Sequence, residues 1–170
     1  MTILRDISIL WSLLHILVLF VFLYDPRYPK KKTLILTALC MGPLIALNVA
    51  GLVIYGTAVM GQWFIVTCTL PSLVFFFIMA KKRDGRFFFT FCLADTVSYE
   101  IIVLTNLLDF ALGGGYVIML IGRLIAFPLI EILVYKRMRG PYLEVQRVVD
   151  HGWGVFAAVS ALFYLLLAIM

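Results

Sequence analysis

Long apolar runs dominate this chain, broken at short intervals by charged, proline or glycine clusters. A bilayer core of roughly 30 Å needs about 20 consecutive apolar residues per helical crossing, and only helices and closed barrels satisfy their backbone inside lipid. Runs of about that length recur over residues 7–24, 33–55, 58–80, 87–112, 116–135 and 153–170. The expected fold is therefore all-α: a single polytopic domain of six transmembrane helices joined by short loops. Apolar residues make up 64% of the 170 residues and the mean hydropathy is +1.10, values outside the soluble range.

The breaks define the loops. Residues 25–29 read Asp-Pro-Arg-Tyr-Pro and end the first helix, because proline cannot continue a helix and restrains its predecessor. Gly56 and Thr57 make a tight uncharged turn between the second and third helices, and Gly113, Gly114 and Gly115 do the same after the fourth. Pro141 can open a helix, and residues 142–150 mix apolar residues with Glu144, Gln146 and Arg147, the composition of an amphipathic stretch at the membrane interface before the last span.

Charge then orients the helices. The net charge is +5, and the cations sit at the ends of apolar runs, which excludes a nucleic-acid-binding face. Lys30–32, Lys81–Arg86 and Lys136–Arg139 follow the first, third and fifth helices, while the other two turns carry none. By the positive-inside rule those three loops are cytoplasmic, with the N-terminus and Met170 extracellular in a plasma membrane. The N-terminal run lacks a small-x-small cleavage site and reads as a retained span. Cys40, Cys68 and Cys92 lie in apolar runs with no metal or disulfide spacing.

Ionisable groups inside the spans are the candidates for function, because each is costly in hydrocarbon. Counting about 1.5 Å per residue puts Glu100 roughly 20 Å from the inner face and Arg123 roughly 10 Å from the outer one, level in a core of about 30 Å. A tight turn joins their helices, so an Arg123–Glu100 pair is the expected arrangement. His15, Asn48 and the shallower Gln62 fall in the same outer half and extend this to a polar pocket open to the outside; each serves equally well as interhelical hydrogen-bond glue. Asp95 and Glu131 fall in the inner half, either sharing a proton or, for Asp95, meeting a backbone or hydroxyl donor. No His-Glu-x-x-His, Gly-x-Ser-x-Gly, P-loop or metal-ligand cluster occurs, so no catalysis, metal or cofactor is expected of this chain.

The run KKRDGRFFFTFCLADTVSYEIIVLTNLLD over residues 81–109 resembles the membrane sensor region of Firmicute histidine kinases with a GHKL-type ATPase domain, the group that includes quorum-sensing peptide receptors. Residues 123–167 look like the same group. The resemblance implies a Gram-positive sensor or receptor module of a two-component signalling system. It would bind an extracellular peptide or small amphiphile, act as a homodimer in the lipid bilayer, and relay a conformational change to a kinase. The phosphoacceptor His and the ATP-binding boxes of such kinases are absent from the sequence, so the chain reads as a sensor that stops short of a seventh helix and the kinase. The alternative is a six-span substrate-binding subunit of a membrane transporter, although the cationic loops oppose the inside termini expected of one. A membrane-embedded enzyme is the third and weakest reading.

Overall fold

The computed structural model describes residues 2–169, apart from the side chains of residues 2, 57, 58, 61, 64, 65 and 167–169. The regular structure is helical: α1 (Thr2–Leu23), α2 (Lys30–Phe64), α3 (Leu70–Met79), α4 (Gly85–Leu112), α5 (Val117–Leu133), α6 (Arg139–Val148) and α7 (Trp153–Ile169). Short π-helical segments, Ile65–Thr69 and Val134–Met138, precede α3 and α6. Four stretches are long and apolar enough to cross a membrane: Ile3–Leu23, Lys30–Gly56, Gly85–Leu112 and Val117–Val148. Val66–Met79 and Trp153–Leu166 are apolar but shorter. The first is 14 residues long, which at about 1.5 Å per residue covers only about two thirds of a 30 Å core. The expected external position of Met170 falls outside the described residues.

The chain divides into two compact units, where one domain was expected: Met1–Tyr24 with Asp84–Met170, and Asp25–Arg83.

In the first unit α4 starts at Asp84, whose carboxylate accepts from the Arg86 amide at 3.0 Å, and stops at Gly113 in a left-handed conformation (φ 61). The Asp109 carboxylate accepts from the amides of Tyr116 (2.9 Å) and Met119 (3.1 Å), which fixes the α4–α5 hairpin and places an anion at the N-terminus of α5. Paired contacts show that α1 runs parallel to α5. Ser8 lies near Arg123, His15 near Glu131, and Phe22 near Tyr135. Leu19, Leu23, Ile101, Phe127 and Val134 form the buried core between α1, α4 and α5. Phe20 of α1 and Tyr24 just beyond its end pack their rings on Phe87 of α4.

The stretch over residues 142–150, expected as an amphipathic segment before the last span, is for the most part helically continuous with α5. α5, the second π segment and α6 form one helical rod, Val117–Val148. Its far end is docked by side chains: Tyr142 Oη meets Thr90 Oγ1 at 2.8 Å, Gln146 Nε2 donates to that oxygen at 2.8 Å, and Arg139 Nε donates to the Phe22 carbonyl at 2.8 Å. Gln146 is buried accordingly. Buried polar groups of this kind need partners, and these three contacts hold the segment against α4 and α1.

The second unit is a helical hairpin reversed at Gly56, whose backbone (φ 79, ψ 169) is open to glycine and strained for other residues. Its two ends are tied together. Pro26 and Ala80 form an antiparallel bridge, the Arg27 amide donates to the Met79 carbonyl at 3.0 Å, and the Lys81 amide donates to the Asp25 carbonyl at 3.2 Å. The two basic loops therefore share one end of the hairpin, as the charge alternation requires.

Candidate functional site

The site sits in the first unit, where α1, α4 and α5 bury a line of polar side chains. Arg123 is 3% exposed. Its Nε donates to Thr105 Oγ1 at 3.1 Å and its Nη2 to Asn106 Oδ1 at 2.7 Å, both on α4. Its Nη1 donates to Ser12 Oγ (3.1 Å) and to the Ser8 carbonyl (3.3 Å) on α1. Every one of these acceptors is neutral. Gly122, next to Arg123, leaves room for Thr105: a Cβ there would lie 3.0 Å from the Thr105 methyl.

Two helical turns further along α5 stands Glu131, also buried. Its Oε1 lies 2.5 Å from His15 Nδ1. The imidazole is held on both sides, by Trp11 (ring centroids 4.3 Å apart) and by Phe127, which stacks on it at 5.3 Å. Trp11 also donates its indole N–H to the Arg123 carbonyl at 3.3 Å, which links the two halves of the site. His15 Nε2 and Ser8 Oγ are buried and have no hydrogen-bond partner among the described residues.

The expected Arg123–Glu100 pair is not formed. Glu100 is exposed, and no ion pair among the described residues involves it. The α4–α5 turn sets Arg123 opposite Thr105, five residues nearer the turn than Glu100. At about 100° per residue, Glu100 also projects some 140° away from Thr105 around α4. Asn48 and Gln62 do not join the site either. Asn48 belongs to the second unit, where its Nδ2 donates to the Leu44 carbonyl (2.9 Å) and the Thr67 carbonyl (3.2 Å) and its Oδ1 accepts from Thr67 Oγ1 (2.8 Å). It is the interhelical glue of the hairpin. Gln62 is exposed. Asp95 does not share a proton with Glu131. It faces α7, where the Tyr164 hydroxyl interacts with its carboxylate.

Sequence reasoning found His15, Arg123 and Glu131 but not the arrangement, and it missed Ser8, Ser12 and Thr105 as partners. A signal was present. Ser8, Ser12 and His15 recur at i, i+4 and i+7 in an otherwise apolar helix, which puts all three on one face. Ser98, Thr105 and Asp109 mark the buried face of α4 in the same way. No family model, no curated protein and no solved structure matches the chain.

Proposed function

We propose that the chain is a membrane-embedded sensor or receptor module of a histidine-kinase type. In this reading an extracellular peptide or small amphiphile offers an anionic group, such as a terminal carboxylate, to Arg123. The consequence passes along the α5–α6 rod toward Lys136, Arg137 and Arg139. The observation that carries the reading is the solvation of Arg123. A guanidinium buried among neutral acceptors lacks the counter-charge that normally offsets its desolvation. An ionisable residue kept inside a membrane at that cost is a functional candidate by default. Arg123 lies six residues from the start of α5 and Ser8 six from the start of α1, so both are about 9 Å from the helix ends and reachable from that side. Asn106, the exposed partner of Nη2, marks the approach. The kinase assignment rests on the sequence resemblance over residues 81–109 and 123–167.

Trp11 is a built-in reporter, because its indole N–H is bonded to the Arg123 carbonyl. With Trp63 and Trp153 replaced by Phe, the chain in lipid nanodiscs can be titrated with amphiphilic peptides bearing either a free or an amidated C-terminus. A saturable fluorescence change for the free-acid peptides, lost in Arg123→Gln, supports the reading. Equal responses to both forms, or none across the panel, overturn the anionic-ligand assignment. Sequencing the DNA downstream of codon 170 tests the kinase part: an in-frame seventh span and ATP-binding boxes support it, and an immediate stop codon overturns it.

A further inference from the structure

The second unit carries an unusual charge distribution. It contains Arg27, Lys30, Lys31, Lys32, Lys81, Lys82 and Arg83 against a single carboxylate, Asp25, a net +6. The remainder of the chain holds seven Lys/Arg and eight Asp/Glu, a net −1, so this unit more than accounts for the +5 of the whole. All eight of its charged residues lie in two loops and the first turn of α2; residues 33–80 contain none. The Pro26–Ala80 bridge and the Arg27 and Lys81 amide hydrogen bonds hold the two loops side by side. Seven cations from sequence positions 50 residues apart thus form one platform.

An anion that meets this platform is favoured by its net charge. Like charges held together repel. Lys30, Lys31 and Lys32 also occupy the first turn of α2, the positive end of its dipole, and no acidic residue shares that turn. Lys32 Nζ stands 4.5 Å from the Tyr28 ring centre, and Arg83 Nη2 donates to the Ile78 carbonyl at 2.6 Å. One turn beyond the charges the surface becomes apolar, with Leu34, Ile35, Val74 and Ile78 all exposed. A charged platform adjoining an apolar wall has the shape of a phospholipid, headgroup at one end and acyl chain along the other.

We propose that the Arg27–Lys32 and Lys81–Arg83 loops together form a binding site for the headgroup of an anionic phospholipid, whose chains lie against Leu34, Ile35, Val74 and Ile78. The two loops act as one site, because the backbone bridge joins them. This inference does not depend on the sensor reading.

The test is electron spin resonance on the full chain reconstituted in phosphatidylcholine, with trace spin-labelled phosphatidylglycerol or spin-labelled phosphatidylcholine. The phosphatidylglycerol label should show the larger motionally restricted fraction. That selectivity should collapse toward that of phosphatidylcholine when three cations are neutralised, since at about fivefold per cation near an anionic surface three account for roughly a hundredfold. Lys30→Gln/Lys31→Gln/Lys32→Gln and Lys81→Gln/Lys82→Gln/Arg83→Gln should each produce the loss, and salt near 1 M should weaken it. The control Lys136→Gln/Arg137→Gln removes exposed cations from the other unit and should leave the selectivity intact. Equal restriction of the two labels in the unaltered protein overturns the proposal, whatever the variants do. An equal loss in the control pair shows that net charge alone is responsible and also overturns it. Competition by soluble glycerol phosphate at millimolar concentration would reassign the site to a free phosphate and overturn the lipid assignment.

Discussion

The His15 imidazole and the Glu131 carboxylate meet at 2.5 Å, joining the middle of α1 to the C-terminal end of α5 inside the apolar core. Both side chains are buried, and Trp11 and Phe127 close the imidazole on two sides. The pair is the strongest polar link between these two parallel helices. Removing His15 leaves a carboxylate without a partner in hydrocarbon, a change that costs roughly 3–5 kcal/mol. Removing Glu131 leaves the buried imidazole short of one hydrogen bond, which costs about 1–3 kcal/mol. His15→Leu should therefore lower the thermal stability of the detergent-solubilised protein more than Glu131→Leu does. The double variant should recover much of the loss, as a double-mutant cycle would read. Equal and additive losses would show that the two residues act separately.

Arg123 makes the opposite prediction. Its partners have other uses for their protons: Thr105 Oγ1 donates to the Ile101 carbonyl at 2.8 Å, and Ser12 Oγ to the Ser8 carbonyl at 2.8 Å. Removing the guanidinium strands no charge. Arg123→Met, similar in length and apolar, should leave the melting temperature within a few degrees of the parent or raise it, since apolar replacement of buried charge is often neutral or stabilising. Arg123→Lys keeps the charge but loses the fork that reaches α1 and α4 together, and should melt lower than Arg123→Met. If Met proves the more damaging change, Arg123 is a structural clamp and the anionic-ligand reading loses its basis.

The long apolar helices α1, α4 and α5 are legible in the sequence because hydrocarbon imposes length and composition on each, and Pro26, Asp84 and Gly113 mark ends; the span expected over 153–170 is met, among the described residues, only by the shorter apolar stretch Trp153–Leu166. The contacts between spans were not legible for one geometric reason. Depth counting assumes that each helix begins and ends with the bilayer. α4 has 28 residues, which is about 42 Å, so a count across a 30 Å core stops short of the true hairpin and pairs Arg123 with Glu100 in place of Thr105 and Asn106. α1 begins at Thr2, five residues ahead of its expected start, so His15 sits deeper than counted and reaches Glu131. The azimuth of a side chain around its helix decided the rest. Glu100 and Asn106 face outward on the helix whose other face buries Ile101 and Thr105.

In the hairpin of the second unit, Asn48 compensates for a proline. Pro71 has no N–H to give to the Thr67 carbonyl four residues earlier, and Asn48 Nδ2 reaches that oxygen at 3.2 Å while its Oδ1 accepts from the Thr67 hydroxyl at 2.8 Å. The π segment Ile65–Thr69 lies directly ahead of the proline, a usual place for the backbone to absorb one. Asn48→Leu should cost on the order of 1 kcal/mol, the size of interhelical hydrogen bonds measured in membrane proteins. In a Pro71→Ala background the same change should cost less, because the alanine amide can serve the Thr67 carbonyl. Unfolding in mixed detergent, read by circular dichroism for the four proteins, checks the coupling; identical costs in both backgrounds would separate Asn48 from the proline.

The last helix depends on one glycine. α7 runs parallel to α4 from a shared start, where Arg86 Nη2 donates to the Val149 carbonyl at 2.7 Å and meets Asp150 at 2.8 Å, and Phe89 packs against Trp153. The helices approach so closely there that a Cβ on Gly85 would fall 2.5 Å from the Trp153 carbonyl oxygen and 2.6 Å from its carbon. Both are backbone atoms, which cannot rotate aside as a side chain can. Small residues permit such contact in membrane helices, and one methyl removes it. Gly85→Ala should therefore destabilise the α4–α7 packing by about 1–3 kcal/mol, the range for inserting a methyl into a packed site, and should shift Trp153 emission by loosening its surroundings. Gly154→Ala is the matched control: its amide nitrogen borders the same contact at 2.8 Å, yet its own added Cβ meets nothing within 4 Å. Thermal melting of the two variants beside the parent decides the matter. Helix propensity alone favours alanine at both positions, so a Gly154→Ala loss equal to that of Gly85→Ala would have another origin, and the close approach at Trp153 would then have no part in holding α7 to the core.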